Sequence, residues 1–285
     1  MKFDKSLSLV FSFYLSEDFN TNIANRMHFY CLSKYRNLFK DALFVILIDD
    51  VDNVSLIGEF EKKIIDCGYV SNTQFIIEQN NPLREAYVFK NYLVDKLKDY
   101  SCPVLFSHNK GYTNVLDPEI TDKKNILMWI SALYFSSLYY LDECFKGMFN
   151  DFTRSLFFGG FMTRENSAES VHDYCPTFNG SIYLINPGNV LEYMYDNNIE
   201  PLPLGNRWYA EHFPRMIINE TNPDILNKAF SHEFRTFNFF EHRTLYYGEY
   251  GGITKLMRYA LDNDFDEFNK QFEESLESIG FYKNN

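Results

Sequence analysis

Three side chains that could act on a phosphate lie close together in the chain: His108, Lys110 and Thr113, within Val104-Leu-Phe-Ser-His-Asn-Lys-Gly-Tyr-Thr-Asn114. Lys110 offers a compact positive charge of the kind that holds phosphate oxygens, and Gly111 lets the backbone turn or approach a ligand closely. An ordinary connecting loop with solvated polar residues would use the same residue types, so the elements that position them decide the matter. Val104, Leu105 and Phe106 read as a brief buried strand, preceded by Cys102-Pro103 and ended by polar residues that cannot continue it. A strand emptying into a cationic, Gly-containing loop suits the phosphate end of a ligand.

Upstream, strand and helix alternate. Ser6 to Leu15 alternates into an apolar run, Leu9 to Leu15, which reads as the first strand, and Asn22 to Phe39 forms a helix with Ile23, Met27, Tyr30, Cys31, Tyr35 and Leu38 at helical spacing. Ala42 to Ile48 is apolar throughout, as expected of a parallel strand covered on both faces, and it ends in Asp49-Asp50-Val-Asp52. Ser55 to Cys67 is the next helix and Thr73 to Ile77 the third strand. Asn80-Asn-Pro-Leu-Arg-Glu85 then opens a helix to about Asp99, with Pro82 in its first turn. The alternation predicts right-handed crossovers, a parallel sheet, and ligands in the crevice over its carboxyl edge, where four strand ends converge.

Further on, Asn125 to Phe145 reads as a helix carrying Trp129. Leu156 to Met162 reads as a strand kinked at Gly159-Gly160, and Thr163 to Tyr174 as a polar loop. Thr177 to Ile185 is a strand interrupted by Asn179-Gly180, followed by a helix from Pro187 to Tyr195. Trp208 to Phe213 starts a short helix. Tyr246 to Gly252 is either a lid or a surface loop, and Asp262 to Ile279 an amphipathic helix. The expected organisation is one domain over residues 1–215 with a helical carboxy-terminal extension, 216–285, packed on it.

The 285 residues allow a sizeable core, and 29 Phe and 21 Tyr make it aromatic-heavy. Aromatic pockets suit sugars and bases, although A+T-rich coding would enrich the same residues. A formal net charge of -12 argues against broad binding to nucleic acid or anionic lipid. Cys31, Cys67, Cys102, Cys144 and Cys175 are scattered without metal-ligand spacing and read as reduced thiols packed in a cytoplasmic protein. No stretch approaches about 18 consecutive apolar residues, so no membrane span is expected. Nothing in the chain indicates an oligomeric state.

Several of these segments together resemble a glycosyltransferase-like family of polysaccharide gene clusters. The resemblance rests on Phe29-Tyr-Cys-Leu32, Asp49-Asp50, Asn80 to Glu85, the HxKG element His108 to Gly111, Trp129, and Phe178-Asn-Gly-Ser-Ile-Tyr183 in place of an SGNFWW-like strand. It covers roughly Ser8 to Phe213. In the last motif Asn179, Gly180 and Ser181 stand in altered order and Tyr183 replaces an indole. The resemblance implies a GT-A-like, Rossmann-like α/β fold with a mostly parallel sheet flanked by helices. The implied activity is transfer of a sugar from a nucleotide donor, a UDP-sugar favoured, to a saccharide or glycoconjugate acceptor.

Such a transfer needs a grip on the nucleoside, neutralisation of the departing diphosphate and, for inversion, a base at the acceptor hydroxyl. Asp49 and Asp50 either accept bonds from uracil or ribose, or one of them caps the following loop. Arg84 either reaches phosphate or pairs with Glu85 or Asp50. Asn80, Lys110 and Thr113 complete the expected donor site. Related transferases commonly carry Asp-x-Asp after the fourth strand to hold a metal. Here His108 and Lys110 stand there, and a protonated ammonium donates without coordinating. The expectation is therefore no obligatory metal and cationic side chains in its role, with a divalent Mn or Mg ion as the alternative. Asp151 reads as part of a turn. For the base, Glu211 in Trp208-Tyr-Ala-Glu-His-Phe213 is preferred, because a carboxylate among aromatic rings is poised to take a proton. His212 and Asp173 are rivals. Asn179, Ser181 and Trp208 are candidates for contacts to the acceptor or the sugar. A catalytically inactive nucleotide- or sugar-binding protein of the same fold is the alternative function. A P-loop hydrolase or kinase is disfavoured, since no GxxxxGK[ST] occurs.

Overall fold

The computed structural model describes residues 6–109, 112, 127, 130, 131, 133, 134, 137, 138, 156–158, 162–166, 174–178, 182–200 and 203–217. In chain order the elements are β1 (Leu7–Leu15), α1 (Ile23–Lys34), β2 (Phe39–Ile48), α2 (Val54–Asp66), β3 (Thr73–Gln79), α3 (Arg84–Val88) and β4 (Val104–His108). They are followed by β5 (Phe157–Phe158), β6 (Met162–Asn166), β7 (Tyr174–Phe178), β8 (Tyr183–Ile185), α4 (Pro187–Asp196) and α5 (Tyr209–Ile217). The protein is α/β, with a six-stranded sheet in the order β3-β2-β1-β4-β8-β5. β1 to β4 run parallel, and β8 is antiparallel to both β4 and β5.

Both faces of this sheet are buried, which is why its central strands read as unbroken apolar runs. Leu9, Phe11, Phe13 and Leu15 of β1, with Phe44, Ile46 and Ile48 of β2, pack under α1 and α2 against Met27, Phe29, Phe60 and Ile64. Val10, Val45, Leu47, Val104 and Phe106 point the other way, into a second core with Phe89, Val190, Tyr209 and Phe213. The period of two along each strand thus sorts residues between two helical layers. Phe60 is the hub of the first layer, its ring centre 4.5 Å from that of Phe13 and within 6.4 Å of those of Phe19, Phe29 and Phe44.

Several sequence expectations are corrected by packing. The first helix ends at Lys34, and Phe39 already belongs to β2, paired with Leu7. Arg36 enforces the change: its guanidinium donates to the carbonyls of Phe39 and Gly68 and lies 4.7 Å from the centre of the Tyr69 ring. The single helix expected up to Asp99 breaks into α3, a π turn over Phe89–Leu93 and a 3-10 segment over Val94–Asp99, and Pro82 lies before the helix instead of in its first turn. Phe89 is held by Phe106 and Phe213, and Asn91 and Tyr100 donate to the Tyr87 and Tyr92 carbonyls, so tertiary contacts override helical propensity.

The stretch expected as one kinked strand contributes Phe157–Phe158 to the main sheet and Met162 to a separate two-stranded sheet. Thr163 to Asn166, expected as loop, is the rest of β6, because Tyr174–Phe178 pairs with it across the ladder. The strand expected from Thr177 to Ile185 is likewise split, β7 and β8 lying in different sheets. The expected helix over Asn125 to Phe145 has helical backbone at the described positions among 127–138. Trp129, Asp151, Gly159-Gly160, Asp173, the Tyr246 to Gly252 segment and the Asp262 to Ile279 helix lie outside the described residues. Among the described residues no helix is long and apolar enough to cross a membrane.

Truncating Phe60 to Ala should cost about 3–5 kcal/mol, because a fully buried ring leaves a cavity that four neighbouring rings cannot all collapse into. The shift of a urea denaturation midpoint, at unchanged slope, measures it.

Candidate functional site

The carboxyl edge of the sheet is stepped where strand order reverses. β4 ends with His108 level with Ser12, whereas β1 continues to Leu15, level with Ile48, which in turn is level with Gln79. Those last three residues of β1 rise about 10 Å beyond β4 at ~3.3 Å per residue. Between β1 and β4 the chain order changes direction, the place where open α/β sheets bind ligands.

Asp49, directly after β2, organises one wall of the step. Its Oδ2 accepts from the Tyr14 hydroxyl at 2.8 Å and its Oδ1 from Asn80 Nδ2 at 2.8 Å, while Gln79 Nε2 donates to its carbonyl at 2.8 Å. The bonds from Asn80 and Tyr14, with the nearby Arg84 charge, hold its carboxyl below the ordinary carboxylate range against the opposing effect of burial. The anion is exposed, and each oxygen keeps a lone pair for a ligand. Burial and then the bond to Asp49 push the Tyr14 phenol up to about 12, so it remains a donor. Because Asn80 turns its NH₂ to Asp49, its Oδ1 is buried with no hydrogen-bond partner among the described residues.

Arg84 stands beside this acid. Its backbone is left-handed, with φ 47°, and is set by Asn81, whose Oδ1 accepts from the Leu83 and Arg84 amides at 2.9 and 3.1 Å. A left-handed residue other than glycine is strained, and such strain concentrates at working sites. The exposed guanidinium acts on Asp49 and Tyr14 through its charge. Among the described residues it has no hydrogen bond or ion pair.

The other wall joins the segment after β1 to the segment after β4. Tyr112 donates its hydroxyl to Asp18 Oδ1 at 2.9 Å, its ring meets that of Tyr14 edge-on at 5.5 Å, and its carbonyl accepts from Asn22 Nδ2 at 3.4 Å. Burial pushes the Asp18 carboxyl up, but bonds from Ser16, Tyr112 and Asn22 outweigh it and the net direction is down. Asn109 is bonded to the main chain of Tyr14 through both ends of its carboxamide.

The structure therefore brings together Asp49, Asn80 and Arg84 of the expected donor residues. Asp50 turns aside: its Oδ1 accepts from the Asp52 amide at 3.1 Å and closes the turn, so of the two acids it is the one that caps. His108, 7 % exposed, ends β4 beside Ser12. By the strand's alternation it shares the face of Phe106. Lys110, Gly111, Thr113, Asn179 and Ser181 lie outside the described residues. Glu211 is half-buried in the first turn of α5, the helix that packs on that same face through Tyr209, Ala210, Phe213 and Ile217. Tyr183, the register partner of Phe106, donates to the Ala210 carbonyl at 2.6 Å, and after burial and Tyr209 the Glu211 charge helps raise the Tyr183 phenol. His212 follows it, half-buried. Trp208 is exposed, with the Arg207 guanidinium 4.2 Å from its ring centre.

Among the described residues no group of three His, Cys, Asp or Glu side chains is placed to hold a metal ion. Sequence reasoning missed Tyr14, Asp18, Gln79, Asn109 and Tyr112. Tyr14 carried one usable signal, a polar group near the end of an otherwise apolar strand.

The carboxyls of Asp18 and Asp49 are both depressed in the fold, so the stabilisation they contribute is present above the unfolded carboxylate pKa, about 3.9, and is lost as pH falls through the lower folded values. Thermal midpoints recorded from pH 6 down to 2.5 should fall less steeply for Asp18→Asn and Asp49→Asn than for the native chain. In Asp49→Asn the Tyr14 phenol should titrate below about 12 yet above 10, since burial remains when the acid is gone; NMR of ring-labelled tyrosine reads it.

Set against family models, curated proteins and solved structures, the chain matches none of them, and the site stands on its own geometry.

Proposed function

We propose that the stepped crevice binds a nucleotide sugar and that the protein is a glycosyltransferase with a GT-A-like fold. The observation that carries this reading is the pairing of an ionised, exposed carboxylate at the end of β2 with an exposed guanidinium beside it, at the point where strand order reverses. A nucleoside diphosphate matches both: its ribose hydroxyls or a base N–H donate to Asp49, and its anionic diphosphate meets Arg84. A UDP-sugar is the favoured donor. Tyr14 and Tyr112 add aromatic surface at the same place.

Catalysis in this reading is division of labour among side chains. His108 and Lys110 supply positive charge to the leaving diphosphate where other transferases place a metal. Glu211 takes the acceptor proton, its helix being packed against Tyr183 on the face of the sheet that His108 shares. Trp208, exposed at the start of α5, offers a ring to a saccharide acceptor, along with Asn179 and Ser181 from the preceding sequence.

Heat-shift measurements with UDP-, GDP- and CDP-sugars test it. A UDP-sugar at 100 times its Kd should stabilise the protein by about 2.7 kcal/mol, with little change on adding EDTA or manganese. Asp49→Asn and Arg84→Ala should each weaken the donor about tenfold or more, the effect of losing a charge-assisted bond of roughly 1.5–3 kcal/mol. Glu211→Gln should abolish sugar transfer while leaving donor affinity in place. Stabilisation by none of the nucleotides sinks the reading, and donor binding without transfer by the native chain reduces it to a binding protein.

A further inference from the structure

An extended strand aims the N–H and C=O of successive residues to alternate sides, so each residue depends on one neighbouring strand. In β1 the Ser12 carbonyl faces β4 and accepts from the Asn109 amide at 3.2 Å. The main chain of Tyr14, two residues on, faces the same side, where β4 has already ended at His108. Its two polar groups, only partly shielded from solvent, are met by a side chain instead. Asn109 Oδ1 accepts from the Tyr14 N–H at 3.1 Å, and Asn109 Nδ2 donates to the Tyr14 carbonyl at 3.0 Å. The same Nδ2 donates at 3.3 Å to Oδ1 of Asn25, a residue with no exposed surface. Asn109 itself is 8 % exposed. Only a carboxamide presents one donor and one acceptor at this spacing; a carboxylate has no hydrogen for the carbonyl, and a hydroxyl cannot reach both.

We infer that Asn109 is a positioning residue for the phosphate end of the ligand: its carboxamide stands in for the missing β4 backbone opposite Tyr14 and fixes where the chain leaves the sheet after His108. The unspecified position of His108-Asn-Lys-Gly111 thereby acquires a role. The inference rests on the nucleotide reading, since the residue acts through His108, which precedes it, and through the main chain it anchors. The nucleoside end is held differently. Phe13 and Leu15, the neighbours of Tyr14, face β2 and are in register with Ile46 and Ile48, so Tyr14 and Asp49 keep their places when Asn109 is changed.

Titration calorimetry with UDP and with uridine, on the full chain, separates the two ends. In Asn109→Ala and Asn109→Asp the affinity for UDP should fall about tenfold, a change of about 1.4 kcal/mol, while that for uridine stays within about twofold. A residue that merely stabilised the fold would weaken both ligands alike. Should the alanine variant not fold, Asn109→Asp carries the comparison, because it keeps the acceptor facing the Tyr14 N–H. Equal weakening of UDP and uridine, no weakening of either, or failure of both variants to fold overturns the assignment. Native protein that binds neither UDP nor uridine overturns the nucleotide reading itself, whatever the variants do.

Discussion

A buried backbone amide or carbonyl must find a partner, and in this protein β1 outlasts the strand that should supply one. The organisation of the carboxyl edge follows from that mismatch. Because β4 stops beside Ser12, a gap opens along the last residues of β1, and a carboxamide closes the exposed ladder from the side. The chain can then leave the sheet early without orphaning the Tyr14 main chain. Early departure lets one wall of the crevice come from β2 and β3 and the other from the segments after β1 and β4.

Electrostatics on the β2 side is arranged to keep Asp49 ionised and available. Two neutral donors, Tyr14 and Asn80, orient the carboxylate without neutralising it, and the nearest cation, Arg84, is not consumed in an ion pair among the described residues. A direct bidentate pair would have been mutually satisfied and would offer a ligand little. Separated as they are, acid and cation each retain unspent hydrogen-bonding capacity. This is the property that a ligand bearing both donors and an anion would use.

Aromatic packing supplies the rigidity behind these contacts. Phe89 wedges between Phe106 and Phe213, tying the π turn, β4 and α5 together beneath the crevice, and the Phe60 cluster performs the same service on the opposite face. The irregular segment from Arg84 to Asp99 shows the consequence. Its residues follow the positions the sheet demands of Phe89 and Leu93, and regular helical bonding yields.

The amino-acid sequence alone determined the alternation of β1 to β4 with helices, the two-sided burial of β2, and the placement of Asp49, Asn80 and Arg84 at strand and helix ends, because each is written in local periodicity and in residues that break it. It left open which of Asp49 and Asp50 caps the following turn and where β4 ends relative to β1. It also misassigned Thr163 to Asn166, whose strand exists only through its pairing with Tyr174–Phe178. Those questions were decided by tertiary structure, since they depend on register between segments distant in the chain: Ser12 against His108, Tyr14 against Asn109 and Asp49, Tyr112 against Asp18. Such long-range pairings leave no periodic mark in either partner, and only the folded chain brings them within bonding distance.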